Sequence, residues 1–160
     1  MSIIPIETES EKINNILRAQ SQEVTDILSP GIQTLISDMK ETLTRASNGI
    51  GLAAPQIGKN LRIFVIAPEL ELNQTVFINP IIVKISSEIT LMEEGCLSVP
   101  SHYGKINRAT SLKVEASNER GRKFKMKADG LIAQLVQHEI DHLDGILFKD
   151  KATQIIKRGT

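Results

Sequence analysis

The sequence predicts an α+β fold, with short antiparallel strands packed around a central helix carrying His-Glu-x-x-His and a second, N-terminal amphipathic helix. Three observations carry this expectation. Apolar residues recur at helical spacing at 32–43 and again at 131–143. Between them lie short β-branched runs punctuated by Pro, Gly and Asn. No internal repeat or low-complexity linker divides the chain, so its 160 residues read as a single domain, 1–160, with an arm at 1–30 and a short tail at 151–160.

The elements follow in order. Met1–Pro30 is polar with scattered apolar residues (Ile13, Ile16, Leu17, Val24, Ile27, Leu28) and reads as an arm carrying a short helix packed on the domain. Ile32, Leu35, Ile36, Met39 and Leu43 form the stripe of an amphipathic helix. It begins at Ser29–Pro30, with a serine cap and a first-turn proline, and stops at Ser47-Asn48-Gly49. Arg62–Ala67 is a buried strand by its β-branched content, and Thr75–Ile85 gives two short strands separated by Asn79-Pro80. Ile89–Met92 leads into Glu93–Pro100. Leu112–Ser117 alternates and turns through Asn118–Gly121 into Lys123–Lys127, a hairpin. Asp129 or Gly130 opens the second long helix, with Leu131, Leu135, and Ile140 or Leu143 available for the core, and Gly145 closes it.

Composition bounds the function. With 19 basic and 19 acidic residues, net charge gives no sign of a membrane or nucleic-acid partner. Four Phe, one Tyr and no Trp leave the core to Ile, Leu and Val. A single cysteine, Cys96, excludes an internal disulfide and fits a reducing compartment. No apolar run approaches a membrane span and no signal-peptide pattern opens the chain, so a soluble, cytoplasmic protein is expected.

The chemistry concentrates at Gln137–Gly145, Gln-His-Glu-Ile-Asp-His-Leu-Asp-Gly. His138 and His142 lie one helical turn apart on nearly one face, and Glu139 can point into the same space. Two imidazoles at this spacing suit a divalent metal, and the carboxylate suits proton transfer to and from water. A catalytic metal needs a third protein ligand. Downstream of His142 there is no Glu or His, and the only carboxylates are Asp144 and Asp150. Asp144 leaves the helix on another face, and Asp150 sits in a basic tail. Upstream, Cys96 in Glu-Gly-Cys-Leu-Ser is the candidate, since thiolate is a good ligand for Zn²⁺ or Fe²⁺ and Gly95 lets the backbone come close. Gly49–Gln56, Gly-Ile-Gly-Leu-Ala-Ala-Pro-Gln, is a run of small residues ending in an amide that can donate to an oxyanion.

Taken together, the segments 49–56, 94–98 and 137–145 closely resemble the three signature motifs of the peptide deformylases, in the family's order. The likeness runs from Ile32 to Asp150 and includes Arg62–Ile66, Asn79-Pro80, Arg108 and Asp129-Gly130. It implies that Cys96, His138 and His142 bind the metal and that Glu139 is general base and then acid. It implies further that Gln56 and the Leu97 amide stabilise the oxyanion, with Glu94 and Arg108 in support. The implied cofactor is one divalent ion, Fe²⁺ natively, with Zn²⁺, Ni²⁺ or Co²⁺ able to replace it. The implied substrate is the formyl group of N-formylmethionyl peptides leaving the ribosome, with no membrane and no sequence-specific nucleic acid as partner. Gly51, Ile50, Met92, Leu131 and Leu135 are expected to bind substrate around the methionine side chain. Where many members have Gly after Val99-Pro100, this chain has Ser101-His102-Tyr103. Members with a long C-terminal helix use it to meet the ribosome; this sequence ends at Thr160. Competing classes are another His-Glu-x-x-His amidase or peptidase, and a scaffold protein that keeps the site without the activity.

Overall fold

The computed structural model describes residues 2–6, 8 and 15–158. Its elements are α1 (Pro30–Arg45), β1 (Gly51–Ala53), β2 (Ile63–Ile66), β3 (Val76–Ile85), β4 (Ile89–Cys96), β5 (Val99–Ala109), β6 (Ser111–Ser117), β7 (Lys123–Asp129), α2 (Gly130–Leu143), α3 (Phe148–Lys151) and β8 (Gln154–Lys157). They form an α+β fold with two antiparallel sheets, one ordered β1-β2-β3-β6-β7 and one ordered β4-β5-β8.

The larger sheet is covered on both faces where β2 runs through it. Ile63 and Val65 join Leu35, Ile36, Met39 and Leu43 of α1 in one apolar cluster. Phe64 and Ile66 join Phe77, Leu112, Val114 and the Leu135, Val136, Ile140 and Leu143 side chains of α2 in another. A strand buried on both faces reads as an unbroken apolar run, which is why Ile-Phe-Val-Ile shows no alternation. Phe64 and Phe77 stack across neighbouring strands with ring centroids 4.5 Å apart. Helix α2 is buried without interruption from Ala133 to Leu143, so it lies inside the domain between sheet and hairpin.

Several local expectations change. Where two strands are expected over Thr75–Ile85, one strand, β3, runs from Val76 to Ile85. Pro80 cannot donate to a ladder, and the irregularity is absorbed by a register shift between Ile78 and Ile81 with Asn79 at φ 51°. The Asn79 carboxamide then pairs with both backbone groups of Val24, each at 2.9 Å, and fastens the arm. The arm holds no helix among its described residues; residues 15–18 are turns, Leu17 and Val24 are buried, and Ile13 lies outside the described residues. Ser29 precedes α1 but does not cap it, because its hydroxyl donates to the Asp26 carbonyl. The eleven-residue β5 escapes sequence reading, since Ser101, His102, Lys105, Asn107 and Arg108 mask its periodicity. Asp150 is held in place: it pairs with Arg18 at 2.5 Å and accepts from the Leu147 amide at the start of α3. Among the described residues no helix is long and apolar enough to cross a membrane.

Gly145 ends α2 at φ 75°, and a Cβ there would collide with the backbone carbonyl of Arg18. We expect Gly145→Ala to cost about 2–3 kcal/mol, from left-handed strain and displacement of the arm. Urea unfolding checks this; an unchanged midpoint would refute it.

Candidate active site

Two elements converge on one point. Helix α2 presents His138, Glu139 and His142, and the β4–β5 hairpin presents Cys96 at its tip, where a register shift falls between Gly95 and Cys96. Cys96 Sγ lies 3.2 Å from His142 Nε2, and the two Nε2 atoms of His142 and His138 are 3.2 Å apart. The three donor atoms all lie within 4.8 Å of one another. Asp144 is turned away to Arg62 at 2.9 Å, and Asp150 to Arg18.

These residues fit a divalent cation. Ligands on a tetrahedral ion with bonds of ~2.0–2.3 Å sit roughly 3.3–3.6 Å apart, close to the two shorter separations. Two imidazole nitrogens and a sulfur facing one another, with the rings buried, present a donor set that a divalent cation would satisfy. Burial opposes charge on both rings. In the metal-free chain Cys96 and Glu94 nonetheless hold His138 well above the usual histidine range, while burial and His138 push His142 well below it. The two rings thus differ in their readiness to carry charge, although both face the same point.

The outer groups fix the ligands. His138 Nδ1 is hydrogen-bonded to Glu94 Oε1, which leaves Nε2 directed at the cluster. Glu94 is clamped by Arg108 through Nε at 3.0 Å and Nη2 at 2.5 Å, and Arg108 Nη1 donates to Asp141 Oδ2 at 2.7 Å. Lys151 closes the chain of charges by donating to Asp141 Oδ1 at 2.8 Å. Arg108 is only 3% exposed and Glu94 6%. Burial alone would raise the Glu94 pKa, but the hydrogen bonds from His138 and Arg108 win and bring it to about 2.

Glu139 differs. It is 2% exposed, its Oε2 has no hydrogen-bond partner among the described residues, and burial raises its pKa to about 7. It borders a cavity of about 380 Å³. A Cβ at Gly51 would come within 2.5 Å of Glu139 Oε1 and 2.8 Å of Leu135 Cδ1, so only glycine leaves this carboxylate its position. Gln56 lines the same cavity. Its Oε1 accepts from the Ala53 amide at 2.9 Å, which turns Nε2 toward Ser98 Oγ at 3.2 Å and Cys96 Sγ at 3.6 Å.

Of the residues expected around the methionine side chain, Ile50, Gly51, Leu131 and Leu135 line the cavity, as does Leu97; Met92 does not. Leu131, read as a core candidate, is 49% exposed. Sequence reasoning assigned nothing to Asp141, Lys151 or Gln137. The Gln137 carboxamide pairs with both backbone groups of Ala109 at 3.0 Å and ties α2 to β5. Only its position beside His138 hinted at a role.

A thiol, two imidazoles and an unpartnered carboxylate around one cavity, on two antiparallel sheets and a buried helix, are the equipment of a metal-dependent hydrolase. Residues 5–158 match the family Polypeptide deformylase. A peptide deformylase of Desulforudis audaxviator is 45% identical over 143 residues, covering 89% of this chain and 91% of its own. The crystal structure of peptide deformylase from Thermotoga maritima superposes with a TM-score of 0.87 at 34% identity, covering 96% of this chain and all (100%) of its own. A class I type b peptide deformylase from Acinetobacter baumannii, in a Met-Ala-Ser-bound crystal structure, gives a TM-score of 0.84 at 35% identity, covering 94% of this chain and 99% of its own. The chain belongs to the polypeptide deformylase family. It is an enzyme, one that removes the N-formyl group from nascent peptides, and the family is metal-dependent.

The buried charge network gives a pH prediction. Glu94 titrates near 2 in the fold against an ordinary 4.5, so its stabilisation is complete above 4.5 and is lost as pH falls toward 2. We expect about 3 kcal/mol to vanish across that window, a loss that Glu94→Gln removes from the profile while lowering stability at pH 7. Unfolding midpoints measured from pH 6 to 2 test this; parallel wild-type and variant profiles would contradict it.

Proposed function

We propose that Cys96, His138 and His142 hold one divalent ion, Fe²⁺ natively, and that Glu139 moves the proton in removal of the formyl group from formylmethionyl peptides. The observation that carries the reading is the pairing of a three-donor cluster with a buried, unpartnered carboxylate on one cavity. The bound ion would supply Lewis acidity, polarising the formyl carbonyl and making a water acidic enough to react at neutral pH. Zn²⁺, Ni²⁺ or Co²⁺ suits the same sulfur and nitrogen donors.

This chain's residues do the rest. Glu139 takes a proton from the attacking water and returns it to the departing amine nitrogen as formate leaves. Its pKa of about 7, set by burial, suits a group that must both accept and donate. Gln56 Nε2, already aimed at the cluster, and the Leu97 amide donate to the oxygen that gains charge on the attacked carbon. Glu94 orients His138, and Arg108 holds Glu94. Ile50, Leu131 and Leu135 offer apolar wall to the methionine side chain, and Gly51 leaves the backbone room to approach. The Met-Ala-Ser ligand of the Acinetobacter baumannii relative supports a peptide with N-terminal methionine as occupant. Helix α2 is on this reading the catalytic helix of a single domain, acting in the cytoplasm beside the ribosome.

Formate release from formyl-Met-Ala by the metal-loaded enzyme tests the assignment. Glu139→Ala should lower kcat by about 10²–10⁴-fold with metal content retained. Undiminished turnover in that variant would overturn the role given to Glu139.

A further inference from the structure

Three non-glycine residues among those described hold a positive φ: Glu71 at 53°, Asn79 at 51° and Ser101 at 64°. A left-handed backbone costs free energy for any residue with a Cβ and persists only where the surroundings impose it. Two of the three are explained by where they lie. Glu71 closes the short turn Pro68–Leu70 at the surface, and Asn79 uses its carboxamide to bind the backbone of Val24. Ser101 is different. Its hydroxyl has no hydrogen-bond partner among the described residues, and Ser101 borders the catalytic cavity.

The angle goes with a break in strand pairing. Cys96 pairs with Val99 and Gly95 with Tyr103, so Pro100, Ser101 and His102 have no partners on β4 and form a bulge beside the metal cluster. Strand β8 holds this bulge from its other side. It sets Lys157 opposite His102, and the Arg158 amide donates to the Ser101 carbonyl at 2.9 Å. The Arg158 guanidinium lies 4.6 Å from the centre of the Tyr103 ring and donates to Glu93 at 2.6 Å. His102 Nδ1 donates to the Pro100 carbonyl at 2.9 Å. The bulge is thus fixed through its backbone and its neighbours, and the Ser101 hydroxyl is left over.

Two sorts of residue border the cavity. Ile50, Leu131 and Leu135 are apolar, and Ser101, His102 and Tyr103 are polar. With the methionine side chain on the apolar wall and its formyl group at the cluster, the polar bulge is left for the rest of the peptide. Ser101 stands two residues past Val99, the partner of Cys96, a span of at most about 7 Å. That is about the reach of the residue after methionine in an extended chain.

We propose that the Ser101 hydroxyl hydrogen-bonds the backbone of the residue that follows methionine, and so sets a preference for formylated peptides over shorter formyl compounds. The inference rests on the reading of this cavity as the site of formyl removal. A hydroxyl can donate to a carbonyl or accept from an N–H, whatever side chain that residue carries. The preference is therefore for chain length and not for sequence. Glycine would relax the backbone but forfeit the contact.

The test is formate release from formyl-Met-Ala-Ser and from formylmethionine methyl ester, which ends before that residue. The metal-loaded full chain is compared with two variants. Ser101→Gly removes both the hydroxyl and the strain, whereas Ser101→Ala removes the hydroxyl and keeps the strain. Each should lower the ratio of kcat/KM for the tripeptide to that for the ester by about 3–10-fold, through a higher KM for the tripeptide. Only Ser101→Gly should also unfold at a higher urea concentration than the wild type. A purely structural role predicts instead that activity follows stability, with the glycine variant at or above wild type on both substrates; that result would overturn the proposal. So would an equal loss on both substrates, a loss confined to the glycine variant (which traces to backbone freedom), or no gain in its urea midpoint. A wild type active on both substrates, with the same ratio in both variants, refutes the Ser101 contact alone. A wild type inactive on both refutes the catalytic reading instead.

Discussion

The site depends on one guanidinium. Arg108, buried on β5, holds Glu94 of β4 with two hydrogen bonds and Asp141 of α2 with a third. A buried arginine is tolerable only when its donors are satisfied, and here the two carboxylates that satisfy it belong to the two elements that must meet. Glu94 sits two residues before Cys96, and Asp141 sits between His138 and His142. Fixing these carboxylates fixes the distance between hairpin and helix, and so between the sulfur and the two imidazoles. Glu94 also sets the His138 ring, so a single carboxylate carries both the structural and the electrostatic link.

The same helix is held from its other sides by ordinary packing. Its apolar residues meet the larger sheet through Phe64, Ile66 and Phe77, and Gln137 joins it to β5 by paired amide bonds. Within this frame Glu139 Oε2 has no hydrogen-bond partner among the described residues, a costly state for a buried carboxylate that suits one reserved for a reacting proton. Gly51 belongs to this constraint, because β1 passes so close that any side chain would meet the carboxylate.

How far the sequence discloses this varies with the range of the interaction. The amphipathic stripe of α1, the buried run of β2 and the β6–β7 hairpin are written in local periodicity and turn chemistry, and the structure has all three. The three motifs name the residues that gather at the cavity, because each motif is itself contiguous. Long-range polar pairings were not legible: nothing local in Arg108 or Asp141 says that they meet across 33 residues. Strand β5 was hidden because its polar side chains serve the cavity rim and the arginine clamp instead of an alternating pattern. Met92, an apolar residue near the motif, does not line the cavity, and its place on β4 is visible only in the structure.

The most direct measurement is the cobalt(II) affinity of Arg108→Lys, which keeps the buried charge but loses the planar fork that grips Glu94 and Asp141 together. If the clamp sets the spacing of Cys96, His138 and His142, affinity should fall by about 10–100-fold, with weaker thiolate-to-metal absorption and an unchanged helical circular dichroism signal. Wild-type cobalt affinity in a folded Arg108→Lys protein would contradict the dependence of the metal cluster on this one side chain.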